Sequence, residues 1–83
     1  MKLPAISGEE LIKILLKAGF SKVRQKGSHV SLEKKTEDKS LKTVVPLHKS
    51  LAKGTLSDIL KQAGLTKEDL IKLLVIVLGI NLQ

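Results

Sequence analysis

The run Lys22-Val23-Arg24-Gln25-Lys26-Gly27-Ser28-His29-Val30-Ser31-Leu32-Glu33-Lys34 decides the fold. Two short segments, one around Lys22 to Lys26 and one from Ser28 to Lys34, meet at a glycine that permits a tight reversal, the pattern of a β-hairpin. In the second segment Val30 and Leu32 point toward a core, so a period of two sends His29, Ser31 and Glu33 to the opposite, open face. The same alternation turns Arg24 and Lys26 outward and Val23 inward. A third strand, from Leu41 to Val45, follows the polar run Lys35-Thr36-Glu37-Asp38-Lys39-Ser40, which makes a second hairpin loop. Pro46 has no amide proton and ends the pairing. The three strands read as an antiparallel meander.

Helical signals flank the meander. Ser7 and Glu10 have the spacing of a capping box, and Leu11, Ile14, Leu15 and Ala18 then recur at helical spacing until Gly19 supplies a left-handed stop. Phe20 can fold back on that last turn. After the strands, Gly54-Thr55 opens a second helix with Thr55 and Asp58 as capping partners, Leu56, Ile59, Leu60 and Ala63 on its buried stripe, and Gly64 as its end. Thr66 starts another helix at once. That helix carries Glu68 and Asp69 in its first turn, where they complement the helix dipole, and becomes apolar on nearly every side, which implies burial. The order α-β-β-β-α, with a further C-terminal helix, predicts an α+β fold: helices on one face of a small sheet and the other face open.

With 83 residues the chain has room for one core, so a single domain over residues 1–83 is expected. It has no cysteine, which excludes a disulfide framework or thiolate metal site and suits a reducing compartment. The N-terminus turns polar at Ser7-Gly8-Glu9-Glu10 and lacks the apolar run of a secretory signal, so a cytoplasmic location is expected. The apolar stretch Leu73 to Ile80 is far short of the roughly 20 residues that span a bilayer. It reads instead as core or interface. It has the character to complete the core, pair two subunits or receive a partner protein. A formal charge of +7 serves solubility or a polyanionic partner such as nucleic acid. Phe20 is the one aromatic residue, so stacking platforms for single-stranded RNA cannot be built, and RNA contacts must lean on phosphate and sugar.

His29 therefore stands on an open face between cations. A histidine so placed suits a general base, while Arg24 and Lys26 offset charge developing on a phosphate. The same pattern also describes an ordinary surface histidine. His48, in the loop after Pro46, either supplies a second proton-transfer group or is a plain loop histidine. Two histidines without cysteine make a poor transition-metal set, so no metal and no cofactor are assigned. Neither a Gly-rich phosphate loop nor a nucleophile motif is present, which leaves NTP hydrolysis and acyl transfer unsupported.

Three stretches together resemble the HicA family. They are Leu3-Pro4 with the Ser7-Gly8 helix start, Ala18-Gly19-Phe20 leading to Arg24-Gln25-Lys26-Gly27-Ser28-His29, and Val45-Pro46-Leu47-His48 followed by Lys53-Gly54-Thr55-Leu56. The segment Ile59-Leu60-Lys61-Gln62-Ala63-Gly64-Leu65 extends the likeness over most of the chain. The resemblance implies a fold similar to double-stranded RNA-binding domains and a toxin that degrades messenger RNA. It also implies a HicB-type antitoxin partner and a catalytic histidine at His29. On this reading the chain is a metal-independent endoribonuclease with His29 as general base. Arg24, Lys26, Gly27 and Ser28 contact RNA, and His48 and Lys53 are auxiliary candidates. The rival reading is a non-catalytic RNA-binding module of the same fold.

Overall fold

The polar pair Ser7 and Glu10 closes a reciprocal cap: the Glu10 amide donates to Ser7 Oγ at 3.0 Å and the Ser7 amide to Glu10 Oε1 at 2.9 Å. From this cap the first helix, α1 (Gly8–Lys17), runs in the computed structural model, which describes residues 5–79. Leu3-Pro4 of the family-like pattern and the end of the apolar tail, Ile80, lie outside the described residues. Leu11, Ile14 and Leu15 are wholly buried on one face of α1. At its end Gly19 takes a φ of +102°, and the Phe20 amide donates to the Leu15 carbonyl at 2.9 Å, which tucks the phenyl ring into the core. Lys34 Nζ donates to the Ala18 carbonyl at 2.8 Å, placing a cation at the negative end of the helix.

The strands β1 (Ser21–Lys26), β2 (His29–Lys35) and β3 (Ser40–Pro46) form an antiparallel sheet in that order. This is the expected meander, with ends displaced by about a residue. β2 starts at His29 because Gly27 and Ser28 form the two-residue loop, and Pro46 is itself the last paired residue of β3, opposite His29. A terminal position is where proline's missing amide costs the ladder least.

Val23 departs from the expectation: it is 59% exposed. The pairing jumps from Lys22↔Leu32 to Arg24↔Ser31, so Val23 sits in a bulge without a partner and is not driven inward. C-terminal to the bulge the alternation holds. Arg24 and Lys26 lie opposite Ser31 and His29 and share their face.

Two further helices, α2 (Lys53–Ala63) and α3 (Lys67–Leu78), complete the α+β arrangement, whose order is consistent with a double-stranded-RNA-binding-domain-like layout. The sheet contributes Val30, Leu32 and Val45 to a core shared with α1, with Leu56, Ile59, Leu60 and Ala63 of α2, and with Leu70 and Leu74 of α3. α2 packs on β3 and α3 packs on α1.

Two helix expectations are corrected. α2 starts at Lys53 with Ala52 at its N-cap and no side-chain cap, so Thr55 and Asp58 lie within the helix and do not cap it. α3 is not buried all round: Val75 and Ile76 are 47% and 63% exposed, and Leu73, Val77 and Leu78 are half-buried. It packs chiefly on α1 along the stripe of Leu70 and Leu74, one turn apart, and packing on one side covers only that side. Its start is built as expected of a capped helix, with Thr66 and Asp69 reciprocally bonded at 2.9 and 3.0 Å. No helix among the described residues is long and apolar enough to cross a membrane.

Candidate active site

The β1–β2 turn is closed by the pair Lys26↔His29 across Gly27-Ser28. Gly27 has a φ of +58° and Ser28 does not have a positive φ, the arrangement of a two-residue hairpin turn with glycine first. The turn is tied down from outside the hairpin. The Leu47 amide donates to the Ser28 carbonyl at 2.7 Å, and the Gly8 amide donates to the His48 carbonyl at 2.9 Å. The segment Pro46–His48 is thereby clamped between the turn and the start of α1. The approach at Gly8 is so close that a Cβ there would lie 2.0 Å from the Pro46 carbonyl oxygen. Only a hydrogen fits.

His29 is exposed, yet its backbone is flanked on both sides, by Lys26 of β1 and Pro46 of β3. Directly opposed residues hold their Cβ atoms about 4.5–5.5 Å apart, and diagonal neighbours about 7–8 Å, so Lys26 and Arg24 both come within side-chain reach of the imidazole. The fold thus brings together His29, Lys26, Arg24 and the Gly27-Ser28 turn. For His48 the fold anchors the backbone carbonyl, and its exposed imidazole is held by none of these bonds. Lys53 stands on a separate element, as the exposed first residue of α2.

A larger feature is not foreseen from the sequence. An open cleft of about 750 Å³ runs between the sheet and α2. On the sheet side it is lined by Val23, Arg24, Ser31, Glu33, Lys42 and Val44 together with the buried Leu32 and Thr43, and on the helix side by Thr55, Asp58, Ile59 and Gln62. The helix residues recur at i, i+3, i+4 and i+7, a single stripe of α2. That spacing is visible in the sequence, but which sheet face the stripe would flank is not. Lys42 Nζ lies 3.7 Å from Glu33 Oε2, and the buried Thr43 hydroxyl donates to Gln62 Oε1 at 2.7 Å.

The family model described as HicA toxin of bacterial toxin-antitoxin matches residues 8–65. This chain belongs to the HicA toxin family. No match is found among curated proteins. The HicA match opens at Gly8, the glycine that clamps Pro46, and closes one residue after the left-handed cap of α2 at Gly64. All the candidate residues, Arg24, Lys26, Gly27, Ser28, His29, His48 and Lys53, fall within it, and α3 falls beyond it. As a HicA toxin the chain is one half of a toxin–antitoxin pair, and an antitoxin partner goes with it.

Proposed function

We propose that this HicA toxin is an endoribonuclease that cleaves messenger RNA in the cytoplasm, with His29 as its general base and a HicB-type protein as its antitoxin. The observation that carries the reading is the setting of His29. An exposed imidazole on a doubly flanked strand, beside an anchored turn, shares its face with Lys26 and Arg24. Rigid backbone under an accessible proton acceptor is what positioning for catalysis requires.

In the proposed reaction His29 removes the proton of an RNA 2′-hydroxyl. The freed oxygen attacks the adjacent phosphorus, the bond from phosphorus to the 5′-oxygen breaks, and that oxygen takes up a proton to leave as a 5′-hydroxyl. The other product ends in a 2′,3′-cyclic phosphate. Arg24 and Lys26 offset the charge that grows on the phosphoryl oxygens, the contribution that fixed cations make best away from bulk water. Gly27 and Ser28, without bulk at the turn, let the RNA backbone approach. His48 is the candidate donor to the leaving oxygen, and Lys53 a further phosphate contact.

The test is incubation of wild-type and His29→Ala protein with a defined messenger RNA in EDTA, read on a gel. Cleavage by wild type alone supports the reading. Intact RNA in both lanes, with salt-sensitive binding retained, would replace it by the RNA-binding module. Full cleavage of an RNA with 2′-deoxy sugars at the cut sites would overturn the proposed nucleophile.

A further inference from the structure

The cleft beside α2 reaches the His29 face of the sheet through Ser31, Glu33 and Val44. Ser31, which lines it, is two residues along β2, about 7 Å at the usual rise of a strand, so a nucleotide adjacent to one held at His29 falls over it. Its chemistry is not that of a phosphate groove. Two carboxylates, Glu33 and Asp58, face the space, and of its two cations Lys42 is already engaged by Glu33. Carboxylates repel a phosphate, while Val23, Val44 and Ile59 offer apolar walls suited to the flat face of a base. The volume falls in the roughly 300–1,000 Å³ range of sites for small organic groups.

The polar edge of the cleft has a definite pattern. The helix starts at Lys53 without a side-chain cap, so Asp58 is not spent on capping and presents two acceptor oxygens. Gln62, one turn on, has its Oε1 taken by the buried Thr43 hydroxyl, which leaves its Nε2 protons to donate. Two acceptors beside a donor match a base edge with two adjacent N–H donors beside an acceptor. Guanine has that edge in N1–H, N2–H and O6. Adenine, cytosine and uracil each lack the second adjacent donor group.

We infer that this cleft is a base-reading subsite, in which Asp58 and Gln62 recognise a guanine next to the cleaved bond. The inference rests on the ribonuclease reading for its role in cleavage. It gives the toxin a sequence preference set by α2 and not by the histidine.

The test has two arms. In the first, His29→Ala protein is titrated with the 3′-monophosphates of guanosine, adenosine, cytidine and uridine, and the backbone amides of Ser31, Val44, Asp58 and Gln62 are followed by NMR. Guanosine monophosphate is expected to shift these amides and to bind on the order of tenfold more tightly than the others, the discrimination of one bidentate contact. Adding Asp58→Asn, which replaces one acceptor by a donor, is expected to erase that preference in a spectrum that stays dispersed. Equal binding of the four nucleotides, no binding, or shifts confined to other surfaces would overturn the subsite. In the second arm the cut sites of wild type and Asp58→Asn are mapped on a mixed RNA pool, and guanine enrichment beside the cut is expected to fall on the order of tenfold in the variant. Unchanged enrichment would overturn the inference. An uncut pool with wild type counts against the ribonuclease reading, and the nucleotide titration then decides the cleft alone.

Discussion

At His29 the outward direction follows from period-two alternation with Val30 and Leu32, and the structure bears it out: the histidine is exposed, while Val30 and Leu32 are buried. The first prediction belongs to this residue. His29→Ala is expected to lower cleavage by on the order of 10²–10⁴-fold, the usual worth of a positioned acid or base, while RNA affinity measured by filter binding changes little. Val23 breaks the alternation because a bulge adds a residue without changing composition, so the sequence carries no mark of it. Gly8 and Gly54 make a paired prediction. The added Cβ of Gly8→Ala meets the Pro46 carbonyl, which is backbone and cannot swing away, so a destabilisation of about 1–3 kcal/mol or more is expected in urea unfolding. Gly54→Ala meets nothing within 4 Å inside a helix and is expected to gain about 0.4–1 kcal/mol. The two glycines look alike in sequence. What separates them is the approach of a segment almost forty residues from Gly8.

Among the elements, α3 is the one whose pattern misleads. A helix apolar on nearly every side reads as buried, yet burial depends on which sides the fold covers, and α3 packs chiefly on α1 along one side. Leu74→Ala is therefore expected to cost about 2–5 kcal/mol, as a fully buried leucine does, while Ile76→Ser stays within about 0.5 kcal/mol in the same unfolding experiment. The N-terminus of α3 carries a pH signature. The Thr66 amide, then the Thr66 hydroxyl, with Lys72 adding a smaller attraction, hold the Asp69 carboxyl below its ordinary value of 3.8. A carboxyl lowered in the folded state stabilises above its unfolded value and loses that contribution as pH falls through the folded one. The gap in melting temperature between wild type and Asp69→Asn is therefore expected to be present at neutral pH and to close in strong acid. A gap that persists at about pH 2 would assign the effect to geometry and not to charge. In α2 the Thr55 and Asp58 spacing suggests a cap, but the same spacing also places both on one helix face, and packing against β3 selects the second outcome.

For the molecule as a whole, the charge of +7 predicts that RNA binding weakens steeply with salt. Arg24→Ala or Lys26→Ala is expected to make the logarithmic salt slope shallower by about 0.7 for each single-strand phosphate that the variant no longer neutralises. An unchanged slope would remove that residue from the RNA path. The order of elements, the hairpin with its glycine-led turn, the capping box of α1, the start of α3 at Thr66, and the outward placement of Arg24, Lys26 and His29 were all legible. Each is dictated by residues within a few positions of one another, through backbone geometry and local hydrogen bonds. The family was legible for a related reason, since an ordered set of short motifs survives as a linear pattern. What only the tertiary structure decided was the clamp of Gly8 on Pro46, the half-exposed α3, and the cleft between the sheet and α2. These depend on where distant segments come to rest against one another. That is settled by the shared packing of one small core, a sum over the whole chain that no local stretch contains.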